Sequence, residues 1–211
     1  PLNRYIVCGR VTKRPIFEFV APDIHPNDSL TAFPLNDDYS FGILQSGIHW
    51  LWFLERCSTL KSDPRYTSNT VFDSFPWPQS PTLAAVQGVA NAAVSLRKLR
   101  RELMQKYGLS LRELYRALET PGASPLKDAQ ERLDQAVRGA YGMKKSDAAL
   151  SFLLDLNDSV ADAEAAGKPV VGPGLPPVVK NRSNFVTGDC IRIPGGLLKL
   201  PGVASAKESA A

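Results

Sequence analysis

Leu60-Lys61-Ser62-Asp63-Pro64-Arg65-Tyr66-Thr67-Ser68-Asn69-Thr70-Val71-Phe72-Asp73-Ser74-Phe75-Pro76-Trp77-Pro78 divides the chain into two textures. Before it lie short β-branched and aromatic runs; after it the pattern is helical. Asp63-Pro64 marks a turn. The polar residues from Arg65 to Thr70 are types that reach phosphates and base edges. Each proline in Phe75-Pro76-Trp77-Pro78 holds the residue before it extended, so the segment reads as a stiff strap with Phe75 and Trp77 as anchors. It also serves as a connector between two regions.

Upstream, Arg4 to Val11 and Pro15 to Val20 predict a β-hairpin turning at Thr12-Lys13-Arg14-Pro15. That turn gathers Arg10, Lys13 and Arg14 at the tip, as a solvated hairpin end or a phosphate contact. Prolines 22, 26 and 34 favour loops, with one strand around Ser29 to Phe33. Asp37 and Asp38 are N-cap candidates for a helix from Tyr39 to about Cys57. Ile43, Leu44, Ile48, Leu51, Trp52 and Leu54 follow helical spacing and make it a core element. His49 on this helix reads as a buried, hydrogen-bonded residue rather than a catalytic one. Cys57, about 12 Å further along, is too far for a dyad.

Downstream, Ser80-Pro81 predicts a helix start and Gly108 its end, with Val86, Val89, Ala93, Leu96, Leu99, Leu103 and Tyr107 as the apolar stripe. Ser110 to Glu113 forms a capping box for a helix to about Glu119. Ser124-Pro125 opens another, ending near Tyr141-Gly142, and a fourth runs from about Asp147 to Ala166. Short connections make antiparallel packing the economical arrangement. From Lys168 the chain is rich in Pro and Gly, an extended arm whose end, Leu197 to Ala211, is expected to be mobile. The reading is α+β: a small antiparallel or mixed β region with a core helix over 1–79, an α-helical bundle over 80–167, and an extended, partly mobile tail over 168–211.

The 211 residues are 44% hydrophobic and 22% charged, an ordinary globular composition with material for a real core. No run of about 18 apolar residues and no leader pattern occurs, so neither a membrane span nor a secretory signal is expected. The start at Pro1 without Met reads as a fragment of a longer polypeptide. Three widely spaced cysteines fit neither a disulfide framework nor a zinc site, and favour the cytoplasm. Net charge is +4, carried by residues 81–141, where 10 Lys and Arg face 6 Asp and Glu. That permits a polyanion partner without requiring one.

Several chemistries are missing. No Walker-type or dinucleotide-type glycine loop, no nucleophile elbow and no H-E-x-x-H occurs. Two histidines, His25 and His49, supply a histidine-based acid–base pair poorly. A hydrolase built on Cys57 or His49 has no supporting nucleophile–base spacing, and no catalytic residues are expected.

Ser62 to Ser68 leading to Phe75-Pro76-Trp77-Pro78 resembles the end of the target recognition domain in MmeI-like restriction–modification proteins. Those are large fused enzymes with an adenine-N6 DNA methyltransferase and, in many members, a nuclease. Phe41 to Ser46 with His49-Trp50 is similar to that domain's main helix. Leu111 to Tyr115, Leu133 to Val137, Ala140 to Gly142 and Leu153 to Asn157 resemble the family's C-terminal helical region. The pieces occur in family order over roughly residues 4–166. Met143 departs from the pattern, standing where an aromatic is expected.

The resemblance implies that 1–79 is the C-terminal part of a target recognition domain, a non-catalytic DNA reader and spacer. The glycine loop for S-adenosylmethionine and an Asn-Pro-Pro-Tyr-type motif would lie upstream of Pro1, so no cofactor is expected on these residues. Expected partners are double-stranded DNA and the methyltransferase domain of the same parent chain. Arg10, Lys13, Arg14, Lys61, Arg65, Tyr66, Ser68, Asn69 and Thr70 are the candidate DNA contacts, with Arg10, Arg14, Arg65 and Asn69 suited to bidentate base contacts. The rival reading is a protein-interaction module that docks a partner through its helix faces and its Phe-Pro-Trp-Pro strap.

Overall fold

The computed structural model describes residues 2–60 and 63–193. The expected hairpin forms: β1 (Tyr5–Gly9) pairs antiparallel with β2 (Phe17–Val20), Ile6 opposite Phe19 and Cys8 opposite Phe17. β3 (Leu30–Phe33) pairs antiparallel with the other edge of β1, giving the order β2-β1-β3. Ile6, Cys8, Phe17, Phe19 and Phe33 are all buried in the hydrophobic core, as alternation along paired strands allows. The fold is α+β, small antiparallel sheets with helices, as read from the sequence.

One correction concerns the helix after Asp37. Instead of running unbroken from Tyr39 to Cys57, the chain forms α1 (Asp38–Gln45) and α2 (Gly47–Arg56). Ser46 is extended between them; its hydroxyl donates to the Ile43 carbonyl at 2.7 Å and accepts the His49 amide at 3.2 Å. It therefore closes one helix and caps the next. Asp134 secures the break from a distance by accepting the Gly47 N–H at 2.7 Å. Asp37 caps α1 as expected, accepting from the Ser40 amide at 2.7 Å.

The strap also departs from a plain extended segment. Ser58–Leu60 (β4) and Asp63–Arg65 (β5) form an antiparallel ribbon, so Asp63-Pro64 lies in a strand rather than at a turn. A single π-helical turn follows over Ser68–Phe72. Phe75 and Trp77 are buried, the anchors the sequence predicted.

The next helix, α3 (Leu83–Tyr107), starts two residues beyond Pro81, because Thr82 is its cap and accepts the Ala85 amide at 3.2 Å. Its stripe is buried from Val86 to Leu96, while Tyr107 is exposed. α4 (Leu111–Glu119) has the predicted capping box, and α5 (Pro125–Tyr141) starts after Ser124. α6 spans Ala149–Ala165, and Met143 packs against the core beside it. α3 lies directly on α1 and α5. A Cβ on Gly42 of α1 would stand 2.7 Å from Val89 Cγ1, so glycine lets α1 and α3 approach this closely.

The arm has little regular structure apart from turns and a short 3-10 helix (Arg182–Phe185), and it is tied down along its described length. The Gln79 side chain exchanges two hydrogen bonds with Val171, donating to its carbonyl at 2.9 Å and accepting its N–H at 2.9 Å. Val179 and Phe185 are buried. Ile191 adds a parallel bridge at the free edge of β2, its N–H donating to Phe19 O at 2.8 Å and its carbonyl accepting from Ala21 at 2.9 Å. The tail from Leu197 to Ala211, expected to be mobile, lies outside the described residues.

A buried ionic network fixes this arrangement. The Asp38 carboxylate accepts from Arg4 at 2.8 Å, from Arg97 and from both the amide and hydroxyl of Thr187 at 3.0 Å. Asp189 takes Arg4 at 3.0 Å, Arg97 at 2.9 Å and Arg101 at 2.7 Å. Burial pushes the Asp189 carboxyl up, but donation from Arg97, Thr187 and Arg101 outweighs it and holds the group well below the usual carboxylate range. Both Arg4 and Arg97 also stack on Phe19. One knot thus ties together the first strand, α1, α3 and the arm.

Candidate nucleic-acid interface

The hairpin tip and the strap meet in space. Beyond β1, the Arg10 N–H donates to the Ser29 carbonyl at 2.9 Å, and its own carbonyl accepts the Tyr66 amide at 2.7 Å. Thr12 N–H donates to the Pro64 carbonyl at 3.0 Å, and Val11 bridges Arg65. Residues more than fifty apart in sequence thereby share one short strand pairing.

This pairing builds a groove of about 510 Å³ lined by Arg10, Thr31, Ser68, Asn69 and Asp73, among others. The π-turn supplies its polar rim. Asp73 N–H donates to the Ser68 carbonyl at 2.8 Å, the hydrogen bond that widens the turn. Val71 is fully buried beneath it, while Ser68, Asn69 and Thr70 are exposed above. The Thr70 hydroxyl is engaged with that of Thr67. Ser74 locks the following residue pair, donating to the Thr70 carbonyl at 2.6 Å. Arg10 pairs at the surface with Asp28, whose side chain is 94% exposed. Such a pair holds little energy, and the guanidinium can exchange it for another acceptor.

On the tip, Lys13 is exposed and its carbonyl accepts from Trp50 Nε1 at 3.4 Å. Arg14 lies over the Trp50 ring, 4.5 Å from its centre, and 5.7 Å from that of Tyr115. Arg65 is half-buried in β5, on neither groove wall. Lys61 lies outside the described residues.

Tyr66 requires a correction. Sequence reasoning placed it among the groups that contact DNA, yet it is 1% exposed. Its hydroxyl shares a hydrogen bond of 2.9 Å with His49 Nε2, and its ring stacks on Phe53. Alternation after Arg65 turns it inward, so it supports the surface from below. His49 is itself fully buried, and desolvation pushes its imidazole down to about 3, leaving it neutral. It is the structural histidine its setting in an apolar helix suggested.

Sequence reasoning missed the Arg4, Asp38, Arg97 and Asp189 network and the cations of α4 beside the tip. Arg112 and Arg116 stand one turn apart on that helix and are exposed. A spacing of four on a helix already places them on one face, which is the signal that could have found them. Among the described residues no group of three His, Cys, Asp or Glu comes together to hold a metal, and no helix is long and apolar enough to cross a membrane.

The architecture defines a polar, cation-bearing β-surface presented on a helical platform. Residues 14–79 match the family described as MmeI, target recognition domain, and the chain carries an MmeI-like recognition fragment. It is 34% identical over 109 residues to DNA methyltransferase A of Bacillus subtilis (strain 168), a match covering 51% of this chain and 11% of that protein. It also superposes on the solved type IIL restriction-modification enzyme MmeI in complex with DNA. There the TM-score is 0.67 and the identity 25%, covering 77% of this chain and 22% of the other. The chain therefore spans a small part of the length of either relative.

Proposed function

We propose that this chain reads DNA sequence as the recognition and spacer part of an S-adenosylmethionine-dependent adenine-N6 DNA methyltransferase, in an enzyme that can also carry a nuclease. Its partners are double-stranded DNA and the methyltransferase domain of the same protein, and it works in the cytoplasm. The observation that carries this reading is the convergence of Arg10, Ser68 and Asn69 on one exposed groove, within or beside the region that matches a target recognition domain. Arginine and asparagine are the side chains that pair bidentately with guanine and adenine edges, and hydroxyls add shorter contacts. Buried Tyr66, Val71, Phe75 and Trp77 hold this rim rigidly from below, which precise groove contacts require.

The cofactor belongs elsewhere in the protein. Among the described residues no strand runs through a glycine-rich loop into a helix, which supports placing the S-adenosylmethionine site outside them.

The test places Arg10→Ala and Asn69→Ala separately in the complete protein and maps modified positions across a genome-scale DNA substrate. Each substitution should relax discrimination at one position of the site by about 1–3 kcal/mol, roughly five- to 150-fold. Unchanged site preference in both folded variants would make the strap structural and hand the lead to the protein-interaction reading.

A further inference from the structure

We infer that the cleft between the hairpin tip and α4 grips the sugar–phosphate backbone of the DNA duplex, separately from the groove that reads bases. This rests on the DNA-reading function proposed above.

The cleft, about 700 Å³, is walled on one side by Thr12, Lys13 and Arg14 and on the other by Arg112, Tyr115 and Arg116. Gly9 and Val11 form its floor, whereas Arg10 between them lines the other groove. Successive residues of an extended strand point to opposite faces. The two openings therefore flank one strand, back to back.

Their chemistries differ. The base-reading groove holds asparagine, serine, threonine and a single arginine. The cleft beside α4 holds four cations and no asparagine or glutamine. Asp63 and Glu119 also line it, leaving two positive charges in excess. Other acids nearby are occupied: Glu18 pairs with Arg100 at 3.0 Å, and Glu113 is committed to the Ser110 cap. Among the described residues none of Lys13, Arg14, Arg112 and Arg116 forms an ion pair. Arg14 is nevertheless held in place by the Trp50 face, and Tyr115 is fixed through Arg100. Positioned cations in excess over the acids around them, none of them in an ion pair among the described residues, and no amide beside them to read an edge, suit phosphates rather than bases. α4 would thus add backbone grip to a recognition surface otherwise made before residue 80.

The experiment compares the complete protein with Arg112→Ala/Arg116→Ala and with Asn69→Ala. Binding is measured against random-sequence duplex DNA, and against the duplex the protein itself selects from that pool, across a salt series. Removing two phosphate contacts should reduce the slope of log affinity against log salt by about 1.8. Affinity should fall by the same factor on both duplexes, with sequence preference intact. Both arginines are exposed, so an unchanged melting temperature verifies folding. An unchanged slope while Asn69→Ala alters preference would overturn the inference and leave the DNA-reading function standing. A change of preference in the double arginine variant would likewise overturn it, as base reading rather than backbone grip. If the unaltered protein binds neither duplex, the function proposed above fails and the inference falls with it.

Discussion

Asp38→Ala is the substitution whose cost the structure specifies most directly. The Asp38 side chain is 2% exposed, and those of Arg4 and Arg97 that donate to it are 1% exposed. Removing the carboxylate leaves two buried guanidinium groups facing Asp189 alone and strips Thr187 of both its partners on Asp38. Losing one member of a buried pair costs about 3–5 kcal/mol, because the remaining charge stays desolvated. A domain's whole stability is about 5–15 kcal/mol, so this is a large fraction of it. Urea unfolding followed by circular dichroism should show the midpoint fall accordingly. Protease cutting within residues 168–193 should rise, since the arm hangs on the same knot. Asp28→Ala, at the exposed pair with Arg10, is the control and should leave the midpoint where it was. A loss below about 1 kcal/mol for Asp38→Ala, the range of a surface pair, would refute the claim that this network fastens the arm.

Two further outcomes concern the layer beneath the candidate interface. Tyr66→Phe removes the hydroxyl bonded to His49 and should cost about 1–3 kcal/mol by leaving a buried imidazole nitrogen unpaired, read as a lowered urea midpoint. Because Tyr66 is buried, DNA site preference in the complete protein should not change; a changed preference would contradict its supporting role. The pH dependence follows from His49, whose folded pKa of about 3 lies below the ordinary 6.5. The unfolded chain binds the proton first, so His49's contribution is intact above about 6.5 and is lost as pH falls towards 3, by up to about 1.4 kcal/mol per pH unit. Asp189, held low, adds its own loss only below its ordinary 3.8. Asp37 and Asp134, raised by burial, act in the opposite direction. The readout is therefore the difference between the unaltered protein and His49→Gln from pH 7 to pH 4, where the variant should lose the His49 slope; parallel curves would show that His49 is not buried neutral.

Local chemistry made the later helices legible. Capping residues at Ser110 and Ser124 and left-handed glycines at Gly108 and Gly142 set their ends without help from distant parts of the chain. The break at Ser46 was hidden because apolar spacing continues across it from Ile43 to Trp52. Ser46 makes the break locally, and Asp134, 87 residues beyond Gly47, secures it. Arg97 was hidden for a related reason: within Arg97-Lys98-Leu99-Arg100-Arg101 nothing distinguishes a solvated cation from one aimed at Asp38, 59 residues earlier. Of the candidate site, residue types were readable and their grouping was not. Asn69 and Arg10 look alike as polar residues in two separate runs until the Tyr66 amide meets the Arg10 carbonyl.

That meeting also explains why the recognition surface needs the helices that follow it. Asn157 on α6 donates to the Ser74 carbonyl at 2.8 Å, and the Tyr141 hydroxyl on α5 donates to that of Pro76 at 2.8 Å. The tip is held through Arg14 against Trp50 of α2 and Tyr115 of α4. Strap and tip are thus fastened from four helices, three of them beyond residue 80. A segment ending at residue 79 would keep the sheet, α1 and α2 but lose the contacts that α4, α5 and α6 make to tip and strap. The division of roles follows. Exposed Ser68, Asn69, Thr70 and Lys13 can change identity with little effect on folding, whereas Tyr66, Val71, Phe75 and Trp77 beneath them cannot. New sequence preference is therefore to be sought in the upper layer, and lost folding in the lower.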